Sequence, residues 1–395
     1  MKICKWKYNA DSPVVFMIDD LCNAWVDLNG NGKIDLGEDF GAGMDSENSS
    51  FKFLEEKILK NFPEVKVTFY VPVGKRIGMI KNSEIKMYSA PINENEKIKK
   101  FFKSIHKNPK YELAYHGLTH GEVFDKAKDQ KQEWECYKSL EEALLIIEEG
   151  KKIFKDVTGE DPKGGKYCGY TSGEFGDESI DKSIFFWWNR FWNRGISEKC
   201  DIKFCGLDTN KKTSYDLKIF GKNTIIDIPS TLNGGIFNLT SKNKFKDLIK
   251  WLLYFFYRTK AIKEINFLLE NKLVVSIQEH ICFARDDGKK QTPNIFDDKR
   301  SLIKIFKYLK NKNVWYCTGS ELAEYYYLRE NIKIVYEENE KFSFDCTKLK
   351  KNIERKEITL KIKGKEIILP NNNKIDIKKG IVTLPIIQGK YQILR

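Results

Sequence analysis

Two histidines spaced four residues apart are the first candidates for chemistry in this chain. His116 and His120 follow a short apolar run, and the whole chain contains only 4 histidines. A strand over Tyr111–Tyr115 that opens into a turn would let both imidazoles face one point, and imidazole is a preferred ligand of transition-metal dications. The spacing therefore predicts a metal site at the end of a strand.

Two further apolar runs end in ionisable residues that such a site needs. Val14–Ile18 is followed by Asp19 and Asp20, and Leu273–Ile277 leads to His280. Taken alone, an Asp pair is usually a turn or a helix cap, and one histidine is usually a core residue. Together at the ends of successive strands, where a barrel gathers its loops at one mouth, they favour a catalytic metal site.

The composition indicates a folded protein with room for one large domain and a smaller module. The chain has 395 residues, 41% of them hydrophobic, and 69 basic against 56 acidic residues, a net charge of +13. The lysines are spread along the chain, which favours a solvated basic surface; a basic groove for an anionic glycan or a membrane face is the alternative. No nucleic-acid-binding motif is present, so nucleic acid is not an expected partner.

The cysteine pattern and the chain start indicate a cytoplasmic protein. The 9 cysteines show no CxxC or other paired spacing, which favours reduced thiols over disulfides or zinc fingers. Met1–Asp11 is charged and too short for an export signal. The most apolar helical stretch, Leu248–Tyr257, is too short to span a bilayer and contains Lys250. No transmembrane segment is predicted.

The segment 27–38 matches the twelve-residue calcium loop of an EF-hand. Oxygen-bearing side chains fall at positions 1, 3 and 5, glycine at 6, a backbone carbonyl at 7 and carboxylates at 9 and 12. The alternative is a polar Asn/Gly turn with coincidental acids. We expect calcium to brace the loop after the first strand, close to the active site. The predicted ligands are Asp27, Asn29, Asn31, Lys33 (through its carbonyl), Asp35 and Glu38.

Strands alternate with helices through about residue 325, which predicts a parallel α/β architecture. Helices are predicted at Lys131–Val157 and, as a pair, at Lys244–Tyr257 and Lys260–Asn271, and a strand at Ile202–Leu207. From residue 330 onward, apolar and polar residues alternate as in short strands. The predicted division is therefore an α/β barrel over 1–329, with the calcium loop as an insertion at 22–49, and a small β-rich module over 330–395.

The motifs at the strand ends resemble those of the NodB-type polysaccharide deacetylases, carbohydrate esterase family four. Ile18-Asp19-Asp20, His116-Gly-Leu-Thr-His120 and Val275-Ser-Ile-Gln-Glu-His280 stand where that family has an Asp pair, a His-x-x-x-His and a late histidine. Lys166-Tyr167 stands in the place of an Arg-x-Pro motif. The resemblance covers roughly residues 10–325 and implies a partial (β/α) barrel.

The resemblance implies a metal-dependent hydrolase that removes the N-acyl group of an amino sugar in a polysaccharide or glycan precursor. It implies Asp20, His116 and His120 as ligands of a divalent transition metal. Zinc is the expected metal, with cobalt, nickel or iron as alternatives. The substrate could be an anionic or a lipid-linked glycan. A peripheral contact with a membrane is also an open possibility.

The same resemblance assigns roles to the remaining residues of the site. Asp19 would be the general base and His280 the general acid. Lys166 would orient Asp19, and Tyr167 would offer a backbone donor to the oxyanion. Protonation of His280 requires a nearby carboxylate, for which Glu279, Asp227 and Asp286 are the candidates.

Three other functions remain open from the sequence. The same fold could hydrolyse a non-sugar C–N bond, which a cavity poor in aromatic residues and rich in arginine would favour. An Fe(II) oxygenase also uses two histidines and one carboxylate, but it predicts a β jelly roll. A non-catalytic glycan-binding protein derived from a deacetylase would bind metal without turnover. The aromatic cluster at 185–194 either packs in the core or forms a stacking wall for sugar rings.

Overall fold

One curled, mostly parallel sheet carries the fold. The structure is a computed structural model that describes residues 1–41, 47–169, 171–190, 215–238, 254–338 and 340–395, with the backbone alone for 254–257. The strands, numbered in chain order and given in spatial order, are Leu232–Asn233 (β11), Val275–His280 (β12), Ser12–Asp19 (β2), Val67–Val71 (β4), Tyr111–Tyr115 (β6), Gly164–Lys166 (β7), Trp187–Asn189 (β8), Ile225–Asp227 (β10) and Lys218–Phe220 (β9).

The pairings in this sheet are those of a partial barrel. All described neighbours are parallel except β9, which runs antiparallel to β10. A tenth strand, Val314–Tyr316 (β13), pairs in parallel with the first half of β2. The predicted (β/α) partial barrel is confirmed.

Strand β2 shows how the sequence positions the site. Its 8 residues are all buried, as expected for a strand with both faces of a parallel sheet covered. Val14, Phe16 and Ile18 pack in one core cluster, while Val15 and Met17 pack in the other. Because side chains alternate along a strand, the odd-numbered face continues to Asp19, at the carboxyl end of the strand.

Helices follow most of the strands. Their bounds are Ser50–Phe53 (α1, continued by irregular helical turns through Asn61), Glu96–Lys107 (α2), Glu133–Cys136 (α3), Leu140–Thr158 (α4), Gly176–Lys182 (α5), Tyr254–Glu270 (α6), Ile295–Leu309 (α7) and Gly319–Asn331 (α8). Short 3-10 turns lie at Lys7–Asn9, Ala127–Asp129 and Gly234–Phe237. Thr318 and Glu321 form a capping box at the start of α8.

Two helix predictions are wrong in detail. The single helix predicted over 131–157 is divided into α3 and α4, because Ser139 caps a new helix by accepting a hydrogen bond from the Glu142 backbone. The break predicted between the paired helices at 257–260 is absent, since α6 runs through it. Residues 239–253 and the strand predicted over 202–207 lie outside the described residues.

The C-terminal residues form the predicted set of short strands. A five-stranded sheet has the order Lys333–Tyr336 (β14), Lys341–Asp345 (β15), Tyr391–Leu394 (β20), Glu366–Ile368 (β17) and Lys374–Asp376 (β18). A three-stranded sheet joins Lys2–Ile3 (β1), Glu357–Lys361 (β16) and Ile381–Pro385 (β19). The N-terminal strand thus pairs with the C-terminal region, and the boundary at 329/330 stays a prediction. A separate pair, Ala24–Asp27 (β3) and Lys86–Ser89 (β5), flanks the calcium-loop segment.

Candidate metal and catalytic site

Asp20 and the two histidines converge on one point. Asp20 Oδ1 lies 3.1 Å from His120 Nε2 and 3.7 Å from His116 Nε2. This oxygen is buried and, among the described residues, accepts no hydrogen bond. Ligands about 2.0–2.2 Å from a shared dication lie roughly 3 Å apart or slightly more. The three donor atoms therefore fit a divalent transition metal.

Backbone geometry at the loop starts aims these donors. Asp20 and His120 both have a left-handed backbone, with φ of 69° and 68°, a conformation that is uncommon for residues other than glycine. His116 Nδ1 lies 2.9 Å from the carbonyl oxygen of Lys166. That contact makes Nδ1 the protonated nitrogen and leaves Nε2 available as the ligand.

Glu133, on α3, holds the loop between the histidines. Its buried carboxylate accepts backbone hydrogen bonds from Leu118, Thr119 and His120 at 2.7–2.9 Å, and a fourth from the hydroxyl of Tyr137. Sequence reasoning missed this residue, because nothing in the spacing between His120 and Glu133 indicates the contact. The four donors make Glu133 a positioning residue for the loop that carries the two candidate ligands His116 and His120.

Glu133→Gln is expected to weaken metal binding by about 10- to 100-fold, the usual cost of losing a group that orients a ligand. A neutral amide keeps the size of the side chain but offers one acceptor oxygen in place of two, so the loop donors lose partners. Isothermal titration of zinc into the metal-free variant measures the change. Glu135→Gln, on the same short helix, is the control and should bind zinc as the wild type does; equal affinity in all three proteins would contradict the role.

Asp19 lies beside this point and is paired with a buried lysine. Its Oδ2 is 2.5 Å from Lys166 Nζ and 3.8 Å from His280 Nε2, while Oδ1 is buried and unpaired within the described chain. Burial by itself would raise the pKa of Asp19, but Lys166 and the histidines His116 and His280 outweigh it and lower the pKa. Asp19 is therefore an ionised carboxylate at neutral pH.

His280 reaches the same space from β12, where it pairs in register with Asp19. Its Nδ1 lies 2.6 Å from the carbonyl oxygen of Pro293, so the carboxylate partner expected there is absent. Burial lowers the pKa of His280, and Asp19 opposes that effect. The ring is thus neutral in the resting site, with Nε2 directed toward Asp19.

The three carboxylates proposed as partners of His280 have other contacts. Asp286 accepts the backbone N–H groups of Met79 and Ile80. Glu279 occupies the other face of β12, beside Gly234, and burial raises its pKa well above the usual value. Asp227, at the end of β10, accepts the backbone N–H of Arg190.

Residues 166–168 meet the site in different ways. The Tyr167 side chain is buried and donates its hydroxyl to Asp177, so only its backbone can serve the site.

Cys168, which sequence reasoning did not select, groups with His116 and His120 as a third possible metal-binding side chain. Its Sγ donates to the His116 carbonyl, and burial raises the thiol pKa well above its usual value. Asp20, already ionised, is the better third ligand.

Arg76 is a second residue that the sequence did not reveal. Its guanidinium donates to Asp20 Oδ2 at 3.1 Å and lies over the ring of Phe40 at 4.6 Å. Gln291 donates to the same oxygen at 3.2 Å. Arg76 lies in the loop after β4, the strand between those that carry Asp20 and His116, but it comes well after the end of that strand at Val71, so a rule based on strand ends does not single it out.

A cavity of about 190 Å³ opens at this point, and within the described chain no Phe, Tyr or Trp lines it. The predicted stacking wall does not form from Trp187 and Trp188, which are fully buried in the core. Residues 191–194 of that cluster lie outside the described chain. The described lining consists of Asp19, Arg76, Met79, His116, His120, Gln130, Gln132, Gly169, His280, Arg285, Gln291 and Thr292.

In the calcium-loop segment, the acidic side chains accept hydrogen bonds from other groups of the same segment. Asp27 Oδ2 accepts the Gly32 N–H at 2.9 Å, and Glu38 Oε1 accepts the Leu28 N–H at 3.0 Å. Asp35 Oδ2 accepts the side-chain amide of Asn31 at 2.9 Å. Asp27 and Glu38 are buried, while the tip residues between them are mostly exposed. Calcium binding here stays a prediction.

No protein-family model and no curated protein sequence matches the chain. Two crystal structures assigned as polysaccharide deacetylases, from Mycobacterium smegmatis and Pseudomonas aeruginosa PAO1, are each 13% identical over 84% of this chain and 95% of theirs, with TM-scores of 0.46 and 0.48. A family 4 acetyl xylan esterase from Clostridium thermocellum, in complex with cobalt, is 10% identical over 79% of this chain and 90% of its own, with a TM-score of 0.33.

These structures are of the class that the sequence motifs resemble. Because their TM-scores lie below 0.5, neither activity nor ligand is transferred from them to this chain. Among the helices that the structure describes, none combines the length and apolar character needed to cross a membrane.

Proposed function

We propose that this chain is a metal-dependent hydrolase that removes an N-acyl group from an amino sugar in a polysaccharide or glycan precursor. The observation that carries the proposal is the convergence of Asp20, His116 and His120 on one point beside Asp19 and His280. Neutral, weakly activated amides need both an electrophile for the carbonyl and a placed acid and base, and this site offers residues for each.

Asp20, His116 and His120 would hold the metal, with zinc expected and cobalt, nickel or iron as alternatives. When bound, the dication would act as a Lewis acid that polarises the amide carbonyl and lowers the pKa of a water molecule. Oδ1 of Asp20 and the Nε2 atoms of His116 and His120 are the donor set. Cys168 lies close to the two histidines, and burial raises the pKa of its thiol in the metal-free site.

The chain's own residues would carry the proton transfers. Asp19, kept ionised by Lys166, accepts the proton of the attacking water. His280, neutral at rest, lies 3.8 Å from Asp19; its Nε2 would take up that proton from Asp19 and deliver it to the departing amine nitrogen. The backbone N–H of Tyr167 is the candidate donor to the developing oxyanion.

A non-sugar C–N bond is the second candidate substrate. The feature that favours it is the composition of the cavity, whose described lining contains two arginines and no Phe, Tyr or Trp. Sugar rings are commonly held against aromatic faces, whereas a small acidic amide needs only fixed hydrogen-bond donors. The mostly parallel α/β sheet differs from the jelly roll that an Fe(II) oxygenase requires.

Acyl release from matched substrates tests the proposal. Zinc-loaded protein would be assayed with chitooligosaccharides, UDP-N-acetylglucosamine and a series of N-acetyl amino acids, each with and without a chelator. Chelator-sensitive release from the sugars is the expected result. Release from the amino acids alone would establish the second candidate, and zinc binding without release from any of them would favour the non-catalytic glycan-binding protein.

We also propose that residues 27–38 bind calcium and that the ion stabilises the fold. Calcium at 100-fold above its Kd should raise the free energy of unfolding by about 2.7 kcal/mol. Glu38→Gln should remove the effect, because Glu38 is the closing carboxylate of the loop. Thermal unfolding with calcium and with magnesium measures it, and Glu47→Gln is the control. An unfolding temperature that calcium leaves unchanged in the wild type would contradict the site.

A further inference from the structure

One buried carboxylate joins two loops into a single wall of the cavity. Asp286 is 5% exposed and accepts the backbone N–H groups of Met79 at 2.9 Å and Ile80 at 3.1 Å. The backbone carbonyl of Asp286 accepts the hydroxyl of Ser83 at 2.5 Å. The loop after β4 and the loop after β12 are thereby fixed to each other, and both contribute an arginine to the cavity.

The polar side chains of this wall are mainly hydrogen-bond donors or amides. Arg76 and Arg285 line the cavity together with Gln291, and Gln130 and Gln132 also line it. Arg76 forms an ion pair with Asp20, one of the proposed metal ligands. Arg285 pairs instead with Asp287, which takes its Nε and Nη2 and leaves Nη1 as the donor for substrate.

Arg285 is held in place by its neighbour. Its Nε and Nη2 donate to the two carboxylate oxygens of Asp287, at 3.0 and 2.6 Å. The arginine side chain is 25% exposed and that of Asp287 is 4% exposed. In the described part of the chain no acceptor takes Nη1 of Arg285. A planar guanidinium fixed along one edge presents its remaining donors with little further loss of conformational entropy.

We propose that Arg285 selects substrates that carry an anionic group, a carboxylate or a phosphate, near the scissile amide. This inference rests on the proposed function of the same cavity and specifies its substrate class. Oxyanions pair with guanidinium through short, charge-assisted hydrogen bonds, which are strong in a narrow, partly desolvated cavity. The described lining offers such polar contacts from the side chains of Arg285 and Gln291.

Three probes that share one acetamido sugar test the selection. N-acetylglucosamine, its 1-phosphate and N-acetylmuramic acid would be titrated calorimetrically into chelator-treated protein, in which no hydrolysis interferes. The wild type should bind at least one anionic probe about 10- to 100-fold more tightly than the neutral sugar, the range for a hydrogen bond to a charged group. The phosphate and the carboxylate arms show which anion the cavity prefers.

Variants of Arg285 and its partner separate recognition from folding. Arg285→Gln should bring the anionic probes to the affinity of the neutral sugar, and Arg285→Lys should restore part of the difference through its charge. Asp287→Asn, which removes the competing anion, should bind the anionic probes more tightly than the wild type. The double variant Arg285→Gln with Asp287→Asn keeps the local charge balanced if the single variant folds poorly, and Arg300→Gln, at an exposed position outside the cavity, is the control.

Acyl release measured in parallel on zinc-loaded protein keeps the two proposals apart. Equal affinity for all three probes in the wild type, or selectivity that persists in Arg285→Gln, would overturn the role of Arg285 even if acyl release is found. Selectivity that depends on Arg285 without any acyl release would support anion recognition and contradict the hydrolase.

Discussion

Asp19→Asn is expected to lower kcat by about 10²- to 10⁴-fold, the contribution of a placed general base. Asparagine has the size of aspartate but cannot accept the proton of the attacking water. Asp20, His116 and His120 are unchanged in the variant, so its zinc affinity should stay near that of the wild type. Acyl-release kinetics and a zinc titration on the same preparation measure the two properties.

The same substitution should also destabilise the protein, and this effect must be separated from catalysis. Removing one partner of a buried ion pair leaves the other charge unpaired, at a cost of about 3–5 kcal/mol, and the side chains of Lys166 and Asp19 are 2% and 5% exposed. The double variant Asp19→Asn with Lys166→Met should recover much of this stability without recovering activity. Activity in the double variant would contradict the assignment of Asp19 as the base.

The metal-free protein is expected to lose about 3 kcal/mol of stability as the pH falls from about 6.5 to about 4. Burial lowers the pKa of His116 from 6.5 to about 4, and the nearby Asp19 only partly offsets it. Below pH 6.5 the unfolded chain binds a proton that the folded chain does not, at about 1.36 kcal/mol for each pH unit. The loss is complete near pH 4, where the folded protein also takes up the proton.

Urea unfolding of chelator-treated protein across this pH range measures the loss. His116→Asn should flatten the dependence, because asparagine does not titrate. His106→Asn should leave it nearly unchanged, since His106 lies at the surface beside Glu160. Stability that is independent of pH between 6.5 and 4 in the wild type, or equal slopes in the two variants, would contradict the burial of a neutral His116.

The fold and the central residues of the site follow from local sequence patterns. Apolar runs mark β2, β6 and β12, with β-branched residues in β2 and β12, and a parallel sheet places the carboxyl ends of such strands along one edge. Side chains alternate between the two faces of a strand, so the face of the residue at each strand end can be predicted as well. Asp19 and His280 pair directly with each other at the ends of β2 and β12. This is why residues more than 250 positions apart could be predicted to meet.

The groups that support the site do not follow from such patterns. Glu133, Arg76 and the Pro293 carbonyl act through contacts between loops, and no periodicity in the sequence relates them to their partners. The carboxylate expected beside His280 is replaced by a backbone carbonyl, which every residue carries and which composition cannot distinguish. The break before Ser139 was hidden because the apolar spacing continues across it.

The measurement that tests the central claim most directly is metal content by mass spectrometry, on the wild type and on His116→Ala after identical zinc loading and desalting. One zinc ion per chain in the wild type and a loss of that ion in the variant is the predicted result. Absence of bound zinc from the wild type, or the same zinc content in both proteins, would contradict a site built from Asp20, His116 and His120.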